Sequence, residues 1–317
     1  MAEHERIASP EPAAPEAPVA VAVPPVSAVS RVLAVQRSAG NRAARQMISR
    51  TLDDDYKAAV AAPDWQKAAE LLNGMAVPAI LARLKLRSPD EIKSLHQGAL
   101  DNPRVGAGSN VAKLTPALLT EFSRKFRASA DLIRASTEAM KLIADAEAAS
   151  VSFGGFAEDG PGAMAYPYTS GQSVYVPRAH TDKVIALSDF LFELNNAIRH
   201  PAFGALDREA VAGTVTKPEF ARRNVEQEVQ GMLRLGAVWA DVKATMGGGR
   251  ELNQYDAPNY TKELQDVRAG RRTEAQIVQD VLNRTYTEGE LRGKTVRQYY
   301  EQQWQTLQPA PAPVRTP

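Results

Sequence analysis

Four polar side chains, Asp189, Glu193, Asn196 and His200, follow one another at steps of four, three and four residues. That spacing sets them in one row along a helix. Glu193 is the member with chemistry to offer: a carboxylate in a cleft becomes a general base when burial raises its pKa. The amides of Asn195 and Asn196 are suited to orient a substrate carbonyl. Further on, Asn224 and Glu228 stand one turn apart at the edge of an apolar helical face. Glu193, Asn196 and Glu228 are therefore the candidate catalytic residues, and the same three oxygen donors suit a hard cation better than a soft one. The competing reading is architectural. Glu193 then pairs with Arg199, Arg222 or Arg223 and only holds helices together, and the row is a solvated face.

Other chemistries are excluded by what the chain lacks. It has no cysteine, so disulfides, a cysteine nucleophile and thiolate metal sites are out. Its histidines are His4, His96, His180 and His200, and no two are three or four apart. A zinc ion held by a histidine pair on one helix face is therefore not expected, nor is any other cofactor. No GxSxG elbow, Walker loop or GxGxxG follows a strand. Gly154-Gly155 and the glycines at 247–249 read as turns. Lys and Arg number 38 against 37 Asp and Glu, a balance that gives no reason to expect nucleic acid or a membrane surface as partner. No apolar run approaches the roughly 18 residues of a membrane helix. The acidic opening MAEHERIASPEP lacks the apolar core of a secretory signal peptide.

The elements that must position these residues are mostly helices. Val184, Leu187, Leu191, Leu194 and Ile198 give residues 182–200 an apolar face; Thr181 or Asp182 caps the start and Pro201 is expected to end it. Upstream, one long helix is expected from Thr115 to about Ser150. Two strands follow, Val151–Phe156 and Ser173–Pro177, with AYPYTSGQ between them as a turn. Downstream, Thr216-Lys217-Pro218-Glu219 reads as a capping box opening a helix through Val225, Val229, Met232, Leu235 and Trp239. Two more boxes, Thr273 to Gln276 and Thr295 to Gln298, open the last helices, the final one with Tyr299, Tyr300 and Trp304 on one face. The fold class is mainly α with a small β-sheet (α+β).

The N-terminal third is organised differently. Residues 1–27 are an Ala/Pro/Val-rich tail, expected to be disordered, and 308–317 close the chain in the same manner. Residues 28–50 form a basic helical segment: Arg31, Arg37, Arg42, Arg45 and Arg50 occur with no acid among them. Gly40 in its middle makes it a marginal helix until it docks. Residues 51–113 read as a three-helix module opened at Asp64, Pro78 and the Ser88–Glu91 box, too small to stand alone and expected to pack on its neighbour, 114–307.

Three strings resemble known proteins. VLAVQRSAGNRAARQMI, with QRSAGN at Gln36–Asn41, resembles the LQRSAGNxAVxxL segment near the N-terminus of many bacterial cargo and toxin proteins of extracellular contractile injection systems, the phage-tail-like particles. DYKAAVAAPDWQKAAELLNG, followed by LHQGALDNP, looks like a helical module common in the same proteins. FELNN, residues 192–196, is similar to the HExxH of zincin metallopeptidases, with Phe192 and Asn196 at the metal-binding histidines and Glu193 at the general base. The zincin resemblance implies a small sheet over an active helix, here with the ligands lost. Together the resemblances imply an effector or cargo protein with a degenerate metallopeptidase-type toxin domain at 114–307. Its partners would be the particle, through residues 31–50, and an unknown protein target. It would be made in the producer's cytoplasm and exported through the particle. The alternatives are an active hydrolase using Glu193 with a non-zinc ion, and an adaptor component without activity.

Overall fold

A computed structural model describes residues 52–247, 260–286 and 291–308. The tail 1–27, the basic segment 28–50, Gly248 and Gly249, and residues 309–317 lie outside the described residues. From Tyr56 onward the described chain packs as one unit with three apolar clusters.

The first cluster gathers five helices rather than three: α1 (residues 52–61), α2 (Trp65–Asn73), α3 (Val77–Leu84), α4 (Pro89–Asp101) and α5 (Asn110–Leu114). The start signals act as read. Asp64 accepts from the N–H of Lys67, and Ser88 and Glu91 form a reciprocal box with Pro89 in the first turn. Leu72, Ile80, Leu84, Leu95 and Val111 are fully or almost fully buried between these helices.

The single helix expected from Thr115 to Ser150 is three: α6 (Ala117–Ser123), α7 (Arg127–Ala135) and α8 (Thr137–Ala148). The second break has a clear cause. Ser136 takes an extended backbone, its hydroxyl accepts from the Ala139 N–H, and it donates to Asp241 at 2.7 Å. A serine that caps the backbone competes with helix continuation. Leu118, Leu119, Phe122, Phe126, Ile133 and Ile143 of these three pieces are buried in one cluster, with Leu132 and Met140 partly buried against it, because the breaks turn each piece onto the same core. Phe122 of α6 stacks on Phe190 with ring centroids 3.8 Å apart.

The sheet has three strands, β1 (Ser152–Phe156), β2 (Tyr168–Ser170) and β3 (Ser173–Val176), in the order β1-β3-β2. β1 runs parallel to β3, and β2 antiparallel. The stretch read as a turn thus contributes an edge strand. The reversal itself is confined to Gly171, at φ +58°, and Gln172; a left-handed backbone suits glycine.

Two 29-residue helices, α9 (Lys183–Val211) and α10 (Lys217–Thr245), run through the rest. Asp182 caps α9 as expected, but Pro201 does not end it. Proline has no N–H for the Ala197 carbonyl and so weakens the helix. The helix persists because residues beyond it, Leu206 and Ala210, are buried in the second apolar cluster with Phe220, Val225 and Ile277. Tertiary burial here outweighs a local stop signal. Thr216 precedes α10 without a side-chain capping bond; Arg222 takes both oxygens of Glu219, the other half of the expected box, and holds one of them at 2.5 Å. α11 (Tyr260–Arg268), α12 (Glu274–Asn283) and α13 (Val296–Leu307) complete the second cluster, the last two opened by the expected Thr–Gln boxes. No described helix is long and apolar enough to cross a membrane.

Candidate functional site

α9 is buried on more than one side. Leu187, Leu191 and Leu194 are fully buried on the apolar face. The polar row is not a solvated face: Asp189 is 1% and Glu193 7% exposed, and only His200 at its end lies open. Thr169, on edge strand β2, closes over Glu193. Its hydroxyl is 2.7 Å from Glu193 Oε2 and 3.0 Å from the Glu193 backbone oxygen. One hydroxyl proton serves only one of these acceptors at a time. Asn196 Nδ2 lies 3.5 Å from the same Oε2.

Among the described residues no arginine holds Glu193. Arg199 turns the other way, donating Nε to the Asn195 carbonyl at 3.0 Å, Nη2 to Asn196 Oδ1 at 2.8 Å and Nη1 to the Gln227 carbonyl on α10. Arg222 pairs with Glu219 and Glu226, and Arg223 with Glu209. Burial raises the Glu193 carboxyl above its usual range; the bonds from Thr169 and Asn196 only partly oppose this, and nearby Asp189 adds to it.

Asp189, one turn before Glu193, has its own partner. Its Oδ2 is hydrogen-bonded to Nε2 of His180 in the loop ahead of the helix. Burial raises this carboxyl too, while His180 acts against the rise. Two buried carboxyls thus sit one turn apart in different settings, one beside an imidazole and one among neutral donors. Environments that differ in this way separate an acid from a base.

Glu228 does not join this pair. It lies on α10 and accepts from the Tyr300 hydroxyl on α13. Burial raises its carboxyl, and the charges of Arg199 and Arg284 oppose that. The three candidates therefore lie along a polar chain rather than around one point. Asn196 links Glu193 to Arg199, and the electrostatic influence of Arg199 reaches Glu228. Asn196 Oδ1, the oxygen a cation would need, is taken by a guanidinium. Among the described residues no group of three or more His, Asp or Glu is arranged to hold a metal ion. Asn195 serves α10 instead, with Nδ2 3.3 Å from the Gly231 carbonyl, and Asn224 bonds back to the Phe220 carbonyl at 2.8 Å. Gly231 also makes room for Arg199: a Cβ built there would overlap the guanidinium.

Sequence reasoning missed His180 and Thr169. Neither stands at helical spacing from the row they complete, because one lies in a loop and the other on a strand read as a turn. No family model, curated protein or solved structure matches the chain.

Proposed function

We propose that this chain is an effector or cargo protein of a bacterial phage-tail-like contractile injection system. Residues 31–50 serve as its address to the particle, and the region from about residue 114 to 307 is a toxin domain of degenerate metallopeptidase type. The observation that carries the second half is the setting of Glu193. It is a buried carboxyl on a long helix beneath a small sheet, with Thr169 and Asn196 as hydrogen-bond partners and no arginine among the described residues to neutralise it. A carboxylate whose only role was to tie helices together would be paired with a cation. With phenylalanine and asparagine at the positions resembling zinc ligands, the chemistry falls to the side chains. Glu193 would take a proton from water or from a substrate hydroxyl, with the His180–Asp189 pair beside it as a proton acceptor or donor. The separation of Glu228 from this cluster weighs against a cation shared by Glu193, Asn196 and Glu228.

Three experiments test the reading. Deletion of residues 31–50 is expected to abolish co-purification with the particles while leaving the melting of the remainder unchanged; equal loading would remove the address. Expression in target cells is expected to be toxic for the natural chain and harmless for Glu193→Gln. Loading without toxicity in either form would point to the adaptor reading. Elemental analysis returning one divalent ion per chain, with activity lost on its removal, would favour the metal-dependent hydrolase.

A further inference from the structure

A cavity of about 660 Å³ opens between the first helical cluster and helices α7 and α8. None of His180, Asp189, Glu193 or Thr169 lines it. Small-molecule sites span about 300–1,000 Å³ and combine an apolar wall with a few placed polar groups. The wall here includes Val77, Leu81, Leu100, Leu114, Met140 and Ala144. Val77 is 39% and Leu100 41% exposed, so two large apolar side chains on this wall stand uncovered.

The charges on the wall are unequal. Arg134, Lys113 and Lys141 line it against a single carboxylate, Glu147, whose Oε1 already accepts from the Leu118 N–H at 2.9 Å. Lys141 is engaged by Glu138 at 2.7 Å. Arg134 is the unusual member, with a side chain only 2% exposed. Its Nε reaches the Leu114 carbonyl at 3.3 Å and its Nη1 reaches Asp131 at 3.2 Å. Its Nη2 has no hydrogen-bond partner among the described residues. Buried donors are nearly always satisfied, and a guanidinium with a spare edge suits a carboxylate. Nη2 is closed to water in this structure, so a ligand oxygen would engage it through a small turn of the guanidinium.

His96, on the same wall, is held in one tautomer by its neighbour. Its Nδ1 lies 3.2 Å from Thr115 Oγ1, and that hydroxyl gives its one proton to the Val111 carbonyl at 2.7 Å. Nδ1 must therefore carry a hydrogen, which leaves Nε2 of the neutral ring an acceptor, so the anchor for an anion on this wall is Arg134.

We propose that this cavity binds an amphipathic monocarboxylate, a straight-chain fatty acid of medium length. The carboxylate meets Arg134, and the chain lies along Leu81, Leu100 and Met140. Such a ligand touches both the first cluster and α8, so it also ties the N-terminal helices to the rest of the fold. The inference stands apart from the Glu193 reading and survives its failure.

Calorimetric titration of the full chain with dodecanoate, below its micelle concentration, tests this. Dodecanol and dodecyltrimethylammonium serve as neutral and cationic probes of equal chain length. Saturable binding of dodecanoate is expected, tighter than either probe by about tenfold or more, with a matching rise in melting temperature. Arg134→Gln is expected to remove the preference for the acid and to leave dodecanol binding as it was. Met140→Trp, a partly buried position that fills the cavity, is expected to abolish binding of acid and alcohol alike. No saturable dodecanoate binding to the natural chain would overturn the proposal. So would equal affinity for all three probes, or a folded Met140→Trp protein that binds like the natural one. If Arg134→Gln does not fold, the matched probes and Met140→Trp still decide.

Discussion

Asp189 and His180 share one hydrogen bond, between Nε2 and Oδ2, while the other oxygen of the Asp189 carboxyl is buried and has no hydrogen-bond partner among the described residues. The aspartate is 1% exposed and the histidine side chain 21%, so the pair is lopsided: the acid cannot turn to water if the imidazole is removed. His180→Ala is therefore expected to destabilise the protein by about 3 kcal/mol, the scale of breaking a buried pair from one side. Burial raises the Asp189 carboxyl, so the penalty should shrink toward acid pH, where the carboxyl is protonated, and grow as pH rises. Urea unfolding at several pH values measures it. A loss of only a few tenths of a kcal/mol would class the pair with exposed ones.

Glu193→Gln should behave differently. The glutamine oxygen still accepts from Thr169 and Asn196, and no arginine is left behind. Because burial raises the Glu193 carboxyl, the folded state holds its proton more tightly than the unfolded chain does. That contribution is present below the ordinary glutamate value of about 4.3 and is lost as pH rises through the raised one. The natural chain and the variant should melt together in acid, and at neutral pH the variant should melt equally or later while activity is lost. A variant that melts much earlier at neutral pH means the charge itself is structural. Leu191→Ala, at a fully buried position, is the packing control and should cost about 2–5 kcal/mol.

Tyr300→Phe tests the far end of the polar chain. The tyrosine is 7% exposed and gives its hydroxyl proton to Glu228. Burial and the neighbouring carboxylate push its ionisation up, so it remains a donor at neutral pH. Removing that donor should cost about 1–3 kcal/mol. Toxicity should be unaffected, since Glu228 stands away from Glu193. Lost toxicity with unchanged unfolding would return Glu228 to the catalytic set.

Pro201→Ala should stabilise. The residue is exposed within α9, and alanine restores an N–H for the Ala197 carbonyl. Interior prolines cost about 3 kcal/mol or more, and part of any gain is offset by the freer unfolded chain. A rise in the urea midpoint is expected, and a fall would mean the ring packs in a way the helix needs.

Caps and apolar faces were legible in the sequence because they act over three or four residues. Asp64, Ser88, Asp182, Thr273 and Thr295 start helices where they were expected to. Where a local signal competed with burial, it was misread. Pro201 yields to Leu206 and Ala210, and Ser136 breaks an apparently continuous apolar pattern through a bond to Asp241, 105 residues away. The candidate site divides along the same line. Glu193 and Asn196 were found by their spacing and do meet. Thr169 and His180 reach them only through the sheet and the loop, and Glu228, which shares a helical pattern with nothing in the row, is drawn off to Tyr300.

Gly231 ties these observations to inheritance. Arg199 crosses α10 where that residue has no side chain, and from there it holds Asn196 and influences Glu228. Any replacement at 231 displaces the guanidinium, and with it the Asn196 amide on one flank and the balance around Glu228 on the other. Defects at two positions on separate helices would then arise from one codon, and a second change at Arg199 should add little to the first. In a deep mutational scan, positions 199 and 231 should therefore fail together, as a single epistatic unit.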